Sequence, residues 1–361
     1  MRTIFLAPEL FTDNGGIPRI LRIYLKALCD LCAQGDKVRF IALNDETADT
    51  RDLSRYTGPS LDAWRTCQRQ RTKFIKATLK LARSSDHILC GHVAQLPVAL
   101  AAKILNPRLT YDVIAHGIEV WRPFTVPERL ALRYCRNVIC ISEATRRQML
   151  NFIKMDERKM PILPNALDPF FTIASTPPPP PPQPPVICAV ARLSKFDVYK
   201  GIDTLIRALP QIRRTIPGTR LCIMGKGDDA KRLRDLADHL HLGTAVEMPG
   251  FVSDEALQEN IRNCSLFALP SKKEGFGLVF IEAMAQGRPC LGARAGGIPE
   301  VISPETGVLV EYGQITEIAD ACIAAISRNW DTERILEHAR SFSYEHFRER
   351  LAAITKPNSV R

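Results

Sequence analysis

Two glutamates eight positions apart, Glu274 and Glu282 in "EGFGLVFIE", head the residues whose types could do chemistry. A carboxylate pair acts as general acid and base only when both groups reach the reacting protons. Here "FALPS" reads as a strand, followed by a loop and a helix beginning near Phe276. Glu274 then lies in the loop and Glu282 roughly two turns inside the helix, too far away to share a proton. Gly275 and Gly277 bare backbone N–H groups around the helix N-terminus, a favourable place for an anion. Together these groups suit a ligand with two sets of hydroxyls separated by a phosphate bridge. Carboxylates accept from the hydroxyls while amides hold the bridge. A nucleotide sugar has that layout.

Other residues fit the same chemistry. "ARLSKFDVYKGIDTLI" places Arg192 at a strand end and Lys200 at the start of the next helix, two cations flanking one loop that suit a diphosphate. Lys195 reads as a solvated loop charge, yet it competes with Lys200 for the role because the loop is long. Gly15 and Gly16 in "NGGIPRI" precede a helix beginning near Ile17, with Pro18 in its first turn. "VIAHGIEVW" sets His116 and Gly117 at the carboxyl end of a strand, either facing a ligand or satisfied within the fold. Gly225 and Gly227 in "IMGKGDD" lack the third glycine of a dinucleotide fingerprint. No D-x-D carboxylate pair occurs, so no metal site is expected to carry a diphosphate. Cys29 and Cys32 have metal-like spacing without a second pair, and read instead as the inner face of a helix.

The elements that must position these groups alternate. Strands are expected at "TIFLAPE", "KVRFIAL", "HILCGH", "LTYDVIAHG", "NVICIS" and "KMPILPN", with helices such as "IPRILRIYLKALCDLCAQG" and "SEATRRQMLNFI" between them. The proline run "STPPPPPPQPP" then interrupts the pattern, reading as a stiff extended connector. Beyond it the alternation resumes from "PVICAVARL" to "GVLVEYG", and two helical segments finish the chain. The fold class is therefore α/β, with two facing doubly wound (Rossmann-like) domains. The expected division is 1–174, a linker at 175–185, 186–340, and a final helix over 341–361 packing back towards the N-terminal domain. Ligands in such sheets bind beyond the carboxyl ends of the strands, so a cleft between the domains is the expected site.

Composition limits the remaining classes. With 45% hydrophobic and 24% charged residues in 361, the chain has the make-up of ordinary globular domains. It has no apolar run long enough to span a membrane, and "MRTIFLAPELF" reads as a first strand. Eleven cysteines scattered in apolar runs point to reduced thiols and a cytoplasmic location. The net charge of +10 is concentrated in residues 1–176, which hold 26 Lys and Arg against 17 Asp and Glu. Residues 65–83 carry seven Lys and Arg and no acid. With Trp64, Phe74, Ile75 and Leu79 they read as a basic amphipathic helix for an anionic membrane surface, so the protein is expected on the inner face of the cell membrane. No nucleic-acid-binding motif accompanies the charge.

The block "EGFGLVFIEAMAQGRP" resembles the E-x7-E motif of the retaining GT-B glycosyltransferases of family 4. The Gly15–Gly16 loop, "HG" at His116, "ISEATR", "PNALD", "ARL…YKG", "PGFV", "GGIPEVI" and the "FSYEHFRERL" tail follow in that family's order. The resemblance implies the GT-B architecture and a polysaccharide-building transferase. It moves a hexose from a UDP- or GDP-sugar to a glycan or glycolipid hydroxyl, with the nucleotide sugar as co-substrate and no cofactor. It also implies catalytic roles for His116, Arg192, Lys200 and Glu274. Donor binding would fall to Gly15, Gly16, Arg192, Lys200, Val252, Glu274, Gly275, Phe276, Gly277, Leu278 and Glu282. A nucleotide-sugar epimerase, a phosphorylase and a non-catalytic sugar- or membrane-binding scaffold are the alternatives.

Overall fold

The computed structural model describes residues 1–12, 15–47 and 50–355. The chain divides into two compact units: Met1–Pro169 with Ser343–Arg361, and Phe170–Phe342.

Among the described residues, the first unit is built on strands β1 (Arg2–Ala7), β2 (Lys37–Ala42), β3 (Leu61–Thr66), β4 (His87–Cys90), β5 (Thr110–Ala115) and β6 (Val138–Cys140). They form one sheet in the order β3-β2-β1-β4-β5-β6, with every pair parallel. Helices α1 (Gly16–Asp30), α2 (Thr50–Tyr56), α3 (Arg71–Ala82), α4 (Leu96–Leu105), α5 (Val126–Tyr134) and α6 (Glu143–Leu150) make the crossovers. The central strands are buried on both faces, which is why they read as continuous apolar runs: Ile4–Ala7 and Ile88–Cys90 lie wholly inside. One core cluster joins Ile4, Leu6, Ile88 and Cys90 to Leu96 and Ala99 of α4.

The second unit repeats the plan. Strands β7 (Val186–Val190), β8 (Arg220–Met224), β9 (Val246–Gly250), β10 (Leu266–Leu269), β11 (Cys290–Ala293) and β12 (Gly307–Val310) run parallel in the order β12-β11-β10-β7-β8-β9. Its helices are α7 (Ile202–Thr215), α8 (Ala230–His239), α9 (Asp254–Arg262), α10 (Leu278–Ala285), α11 (Ile298–Val301), α12 (Ile315–Ser327) and α13 (Thr332–Arg340). The last helix, α14 (Tyr344–Thr355), belongs to the first unit. There Phe347 packs edge-on to Tyr24 of α1 with ring centroids 4.9 Å apart, and the Tyr344 hydroxyl donates to Asp30.

Three expectations need correction. The proline run is not a connector between the units, because it lies inside the second. Arg262 donates to Thr176 Oγ1 and the Pro177 carbonyl, each at 3.1 Å, and Arg288 donates to the Pro179 carbonyl at 2.7 Å. Prolines leave carbonyls without neighbouring N–H donors, and two arginines take them up. "KMPILPN" forms no strand: its sheet contact is a single bridge from Ile162 to Cys140, since Pro161 and Pro164 cannot donate to a ladder. Finally, residues 65–83 are not one helix. Arg65 and Thr66 end edge strand β3, Gln68 and Arg69 turn through positive φ, and α3 starts at Arg71. Trp64 stacks on Phe40 within the sheet and Phe74 is buried in the core, so neither is a helix-borne membrane anchor.

Candidate functional site

In the second unit the two charged motifs meet. Arg192 follows β7, and a 3-10 turn over Lys195–Lys200 leads to Gly201 and α7. Gly201 has φ of 75°, and a Cβ there would sit 2.5 Å from the Pro270 carbonyl oxygen at the end of β10. Only glycine allows that approach. The Lys272 N–H also donates to the Tyr199 carbonyl at 2.8 Å, tying the turn to the β10–α10 loop. Lys200 Nζ thereby reaches Glu274 Oε2 at 2.6 Å, with both side chains largely withdrawn from water. The Glu274 carbonyl accepts from the Gly297 N–H at 2.8 Å, which fixes the backbone beneath the carboxylate.

Arg192 is held by a residue that sequence reasoning missed. Its Nε donates to Asp197 Oδ2 at 2.6 Å, and the Tyr199 hydroxyl donates to Asp197 Oδ1 at 2.8 Å. Burial works to raise the Asp197 carboxyl, but the bonds from Arg192 and Tyr199 outweigh it and hold the group below the usual carboxylate range. Lys195 stays on the surface, its backbone N–H donating to Asp228. The one signal for Asp197 in the sequence is an acid midway between the two cations.

Helix α10 begins at Leu278, two residues later than expected, so Glu282 lies about one turn inside it and is buried. Its N-cap is Gly277 at φ 96°, a left-handed conformation with no side-chain cap; the Phe280 N–H donates to the Gly277 carbonyl at 3.0 Å, and no side chain of the N-cap meets the N–H groups of Leu278 and Val279 before it. Gly275 is buried, and the Phe276 ring is too, packed edge-on against Phe342 with centroids 5.7 Å apart. Phe276 can thus offer a ligand only its backbone. Val252 is half-buried in the loop after β9, next to Phe251, over whose ring Lys226 Nζ lies 5.2 Å from the centroid.

The first unit carries the remaining candidates at the carboxyl edge of its sheet. Gly15 is the N-cap of α1 and Gly16 its first residue; no side chain caps this helix either. The approach to that loop is shaped by Asp45, a fully buried carboxylate that sequence reasoning passed over. It accepts from the backbone N–H groups of Leu10, Phe11 and Thr12 at 3.0 to 3.2 Å. His116 follows β5 and is buried, with Nε2 2.8 Å from the Gly91 carbonyl. That bond requires the proton on Nε2, so Nδ1 presents a lone pair, and no protein group meets it among the described residues. Burial draws the imidazole down to about 4, against a smaller opposing effect of the Gly91 bond, so the ring is neutral near pH 7. The His116 backbone N–H donates to Glu119 Oε1, and burial pushes that carboxyl upwards.

Two parallel six-stranded sheets with strand-end glycines and cations define the GT-B class of fold. The crystal structure of Anabaena HepE with UDP and glucose superposes with a TM-score of 0.75 over 98% of each chain at 22% identity, a likeness of fold. The model of Glycosyl transferases group 1 matches residues 172–342. The GDP-mannose-dependent monoacylated alpha-(1-6)-phosphatidylinositol monomannoside mannosyltransferase of Corynebacterium glutamicum is 32% identical over 270 residues, 70% of either chain. The N-acetyl-alpha-D-glucosaminyl L-malate synthase of Bacillus anthracis is 35% identical over 157 residues, 43% of this chain. That match spans only 40% of the malate synthase. The chain belongs to Glycosyl transferases group 1, the retaining GT-B glycosyltransferases of family 4.

Proposed function

We propose that the protein transfers a hexose, with retention of configuration, from a UDP- or GDP-sugar to a hydroxyl of a lipid-linked or surface-polysaccharide glycan. The observation that carries this reading is the Lys200–Glu274 contact of 2.6 Å beside the open N-terminus of α10. It puts a cation for phosphate and a carboxylate for hydroxyls at one point, where the helix end favours an anion. In this reading Arg192 and Lys200 take the charge that develops on the leaving diphosphate. Glu274 orients the donor sugar, Glu282 holds the ribose, and the Nδ1 lone pair of His116 accepts from a sugar hydroxyl. The backbone around Gly15, Gly16, Val252, Gly275, Phe276, Gly277 and Leu278 lines the donor. Glu274 is engaged by Lys200 and Glu282 is buried, so neither acts as general base. The acceptor attacks from the face the diphosphate leaves, and the diphosphate oxygen takes the acceptor proton. Catalysis is then positioning and charge stabilisation.

The donor classes are supported by GDP-mannose in the name of the Corynebacterium relative and by UDP with glucose in HepE. The lipid acceptor is supported by the phosphatidylinositol mannoside in the same relative's name. A lipid acceptor also suits work at the inner face of the cell membrane, and no helix among the described residues is long and apolar enough to cross one. Calorimetry with UDP-, GDP- and ADP-sugars, followed by transfer assays with the sugar that binds, tests the proposal. NMR of the product should show the donor's anomeric configuration kept. Isomerised donor formed without acceptor would point to an epimerase, and tight binding without turnover across an acceptor panel to a scaffold.

A further inference from the structure

Helix α5 presents an apolar stripe to solvent. Val126, Leu130 and Tyr134 recur at four-residue spacing, on one face of the helix, and are 78%, 48% and 54% exposed. The opposite face carries Ala131 and Leu132, which are fully buried. Helix α4 packs beside α5 on one side and α3 on the other, and its last two residues, Ile104 and Leu105, are 72% and 52% exposed. Scattered exposed apolar side chains are ordinary; a grouped set along neighbouring helices marks a surface that something covers.

The charges around the stripe select the occupant. From Arg69 to Thr110 the chain holds eight Lys and Arg and a single acid, Asp86, which is engaged by Arg2. On α5 itself Arg129 and Arg133 flank Leu130, and the one acid, Glu128, is buried and bound by Arg122 and Thr125. Ile75 adds an exposed apolar side chain on basic helix α3. A second copy meeting this face about a two-fold axis would bring two uncompensated basic surfaces together, which is repulsive. An anionic bilayer removes the apolar stripe from water and neutralises its flanks at once.

We infer that the α3–α4–α5 face of the first unit docks on anionic lipid, with Val126, Leu130, Tyr134, Ile104 and Leu105 entering the headgroup boundary. The inference rests on the membrane-surface part of the proposed function and moves the docking surface away from residues 65–83 alone. The stripe supplies the insertion, and the cations of α3 supply the salt-sensitive attraction. The spacing along α5 orients the sheet edge relative to the bilayer, so the docked protein meets its acceptor in a fixed pose.

Co-sedimentation tests it, using the full chain with vesicles of phosphatidylcholine and phosphatidylglycerol in equal parts, or of phosphatidylcholine alone, at roughly 0.05 M and 0.5 M salt. The wild-type chain should bind the mixed vesicles, more weakly at the higher salt, and leave the neutral ones. The triple variant Val126→Gln, Leu130→Gln, Tyr134→Gln keeps helix propensity at exposed positions, so folding is preserved, and its partition should fall by about tenfold at both salts. Binding of the triple variant to the mixed vesicles as strong as that of the wild-type chain would overturn the inference, placing the docking surface elsewhere while leaving membrane attachment standing. No binding of the wild-type chain to either vesicle would overturn both. Nucleotide-sugar calorimetry on the same samples keeps the donor reading separate from either failure. A wild-type dimer in sedimentation velocity that the triple variant abolishes would give the face to a second copy and overturn the inference.

Discussion

Lys200 and Glu274 are 74 residues apart in sequence and 2.6 Å apart in space, Nζ to Oε2. The cation proposed for the diphosphate and the carboxylate proposed for the sugar are therefore one unit. Removing either leaves the other with a half-buried, uncompensated charge. Glu274→Gln should lower kcat by about 10²-fold, more than it lowers donor affinity. Lys200→Ala combined with Glu274→Gln should cost clearly less than the sum of the two single changes. Glu282→Gln, deeper in α10, should act mainly on donor binding. Steady-state kinetics and donor calorimetry check all three, and strictly additive effects would separate the two residues.

Arg192 is predicted to act through its tether. Arg192→Ala should slow transfer by roughly 10²–10³-fold, the scale of one lost preorganised charge. Asp197→Asn keeps the shape but weakens the 2.6 Å contact. It should lower kcat by about tenfold with little change in KM, as a positioning residue does. Lys195→Ala should be nearly silent. An essential Lys195 beside a dispensable Lys200 would reverse the assignment within the turn.

Transfer should persist in excess EDTA. The motive is the missing D-x-D pair together with Arg192 and Lys200 on the loop between β7 and α7, the two cations proposed to take the place of a divalent ion. Turnover lost in chelator and restored by Mn²⁺ or Mg²⁺ would show that those cations do not suffice.

Acidification should destabilise the first unit through His116. Its imidazole is drawn from the ordinary 6.5 down to about 4. Between those values the unfolded chain holds a proton that the native chain refuses. Stability therefore rises with pH across the window and is lost as pH falls from about 6.5 through about 4. The full swing is on the order of 3 kcal/mol. Urea unfolding from about pH 4.5 to 7 should show this slope in the wild-type chain and a flatter one in His116→Gln. Parallel slopes would mean that the buried ring is not the titrating group.

What could be read in advance follows burial. Strands such as β1 and β4 are enclosed on both faces, so their sequences are apolar throughout and mark themselves. Edge strand β3 carries no such mark, because Asp62, Ala63, Trp64 and Arg65 are all exposed and show no alternation. Phe74 has the sequence signature of a membrane anchor only if the basic segment is a single helix, and a strand and a turn within it reassign the faces. At the candidate site, Glu274, Lys200 and Arg192 stand out by type and spacing. Asp197 and Asp45 do not: one is held by an arginine on a loop, the other by backbone N–H groups 33 to 35 residues away. The proline run marks itself by composition, but composition carries no record of the two arginines that hold its carbonyls.

The placement of α14 has a consequence for the order of synthesis. Tyr24 and Asp30 leave the ribosome early, yet their partners Phe347 and Tyr344 are more than 300 residues later in the chain. The whole of Phe170–Phe342 must be made in between. The nascent first unit therefore waits with one side of α1 uncovered while a complete second unit is translated, a period in which exposed apolar surface invites misassembly. A ribosome that stops between Glu282 and Ser343 would release a chain with every proposed donor-site residue and an unfinished first unit.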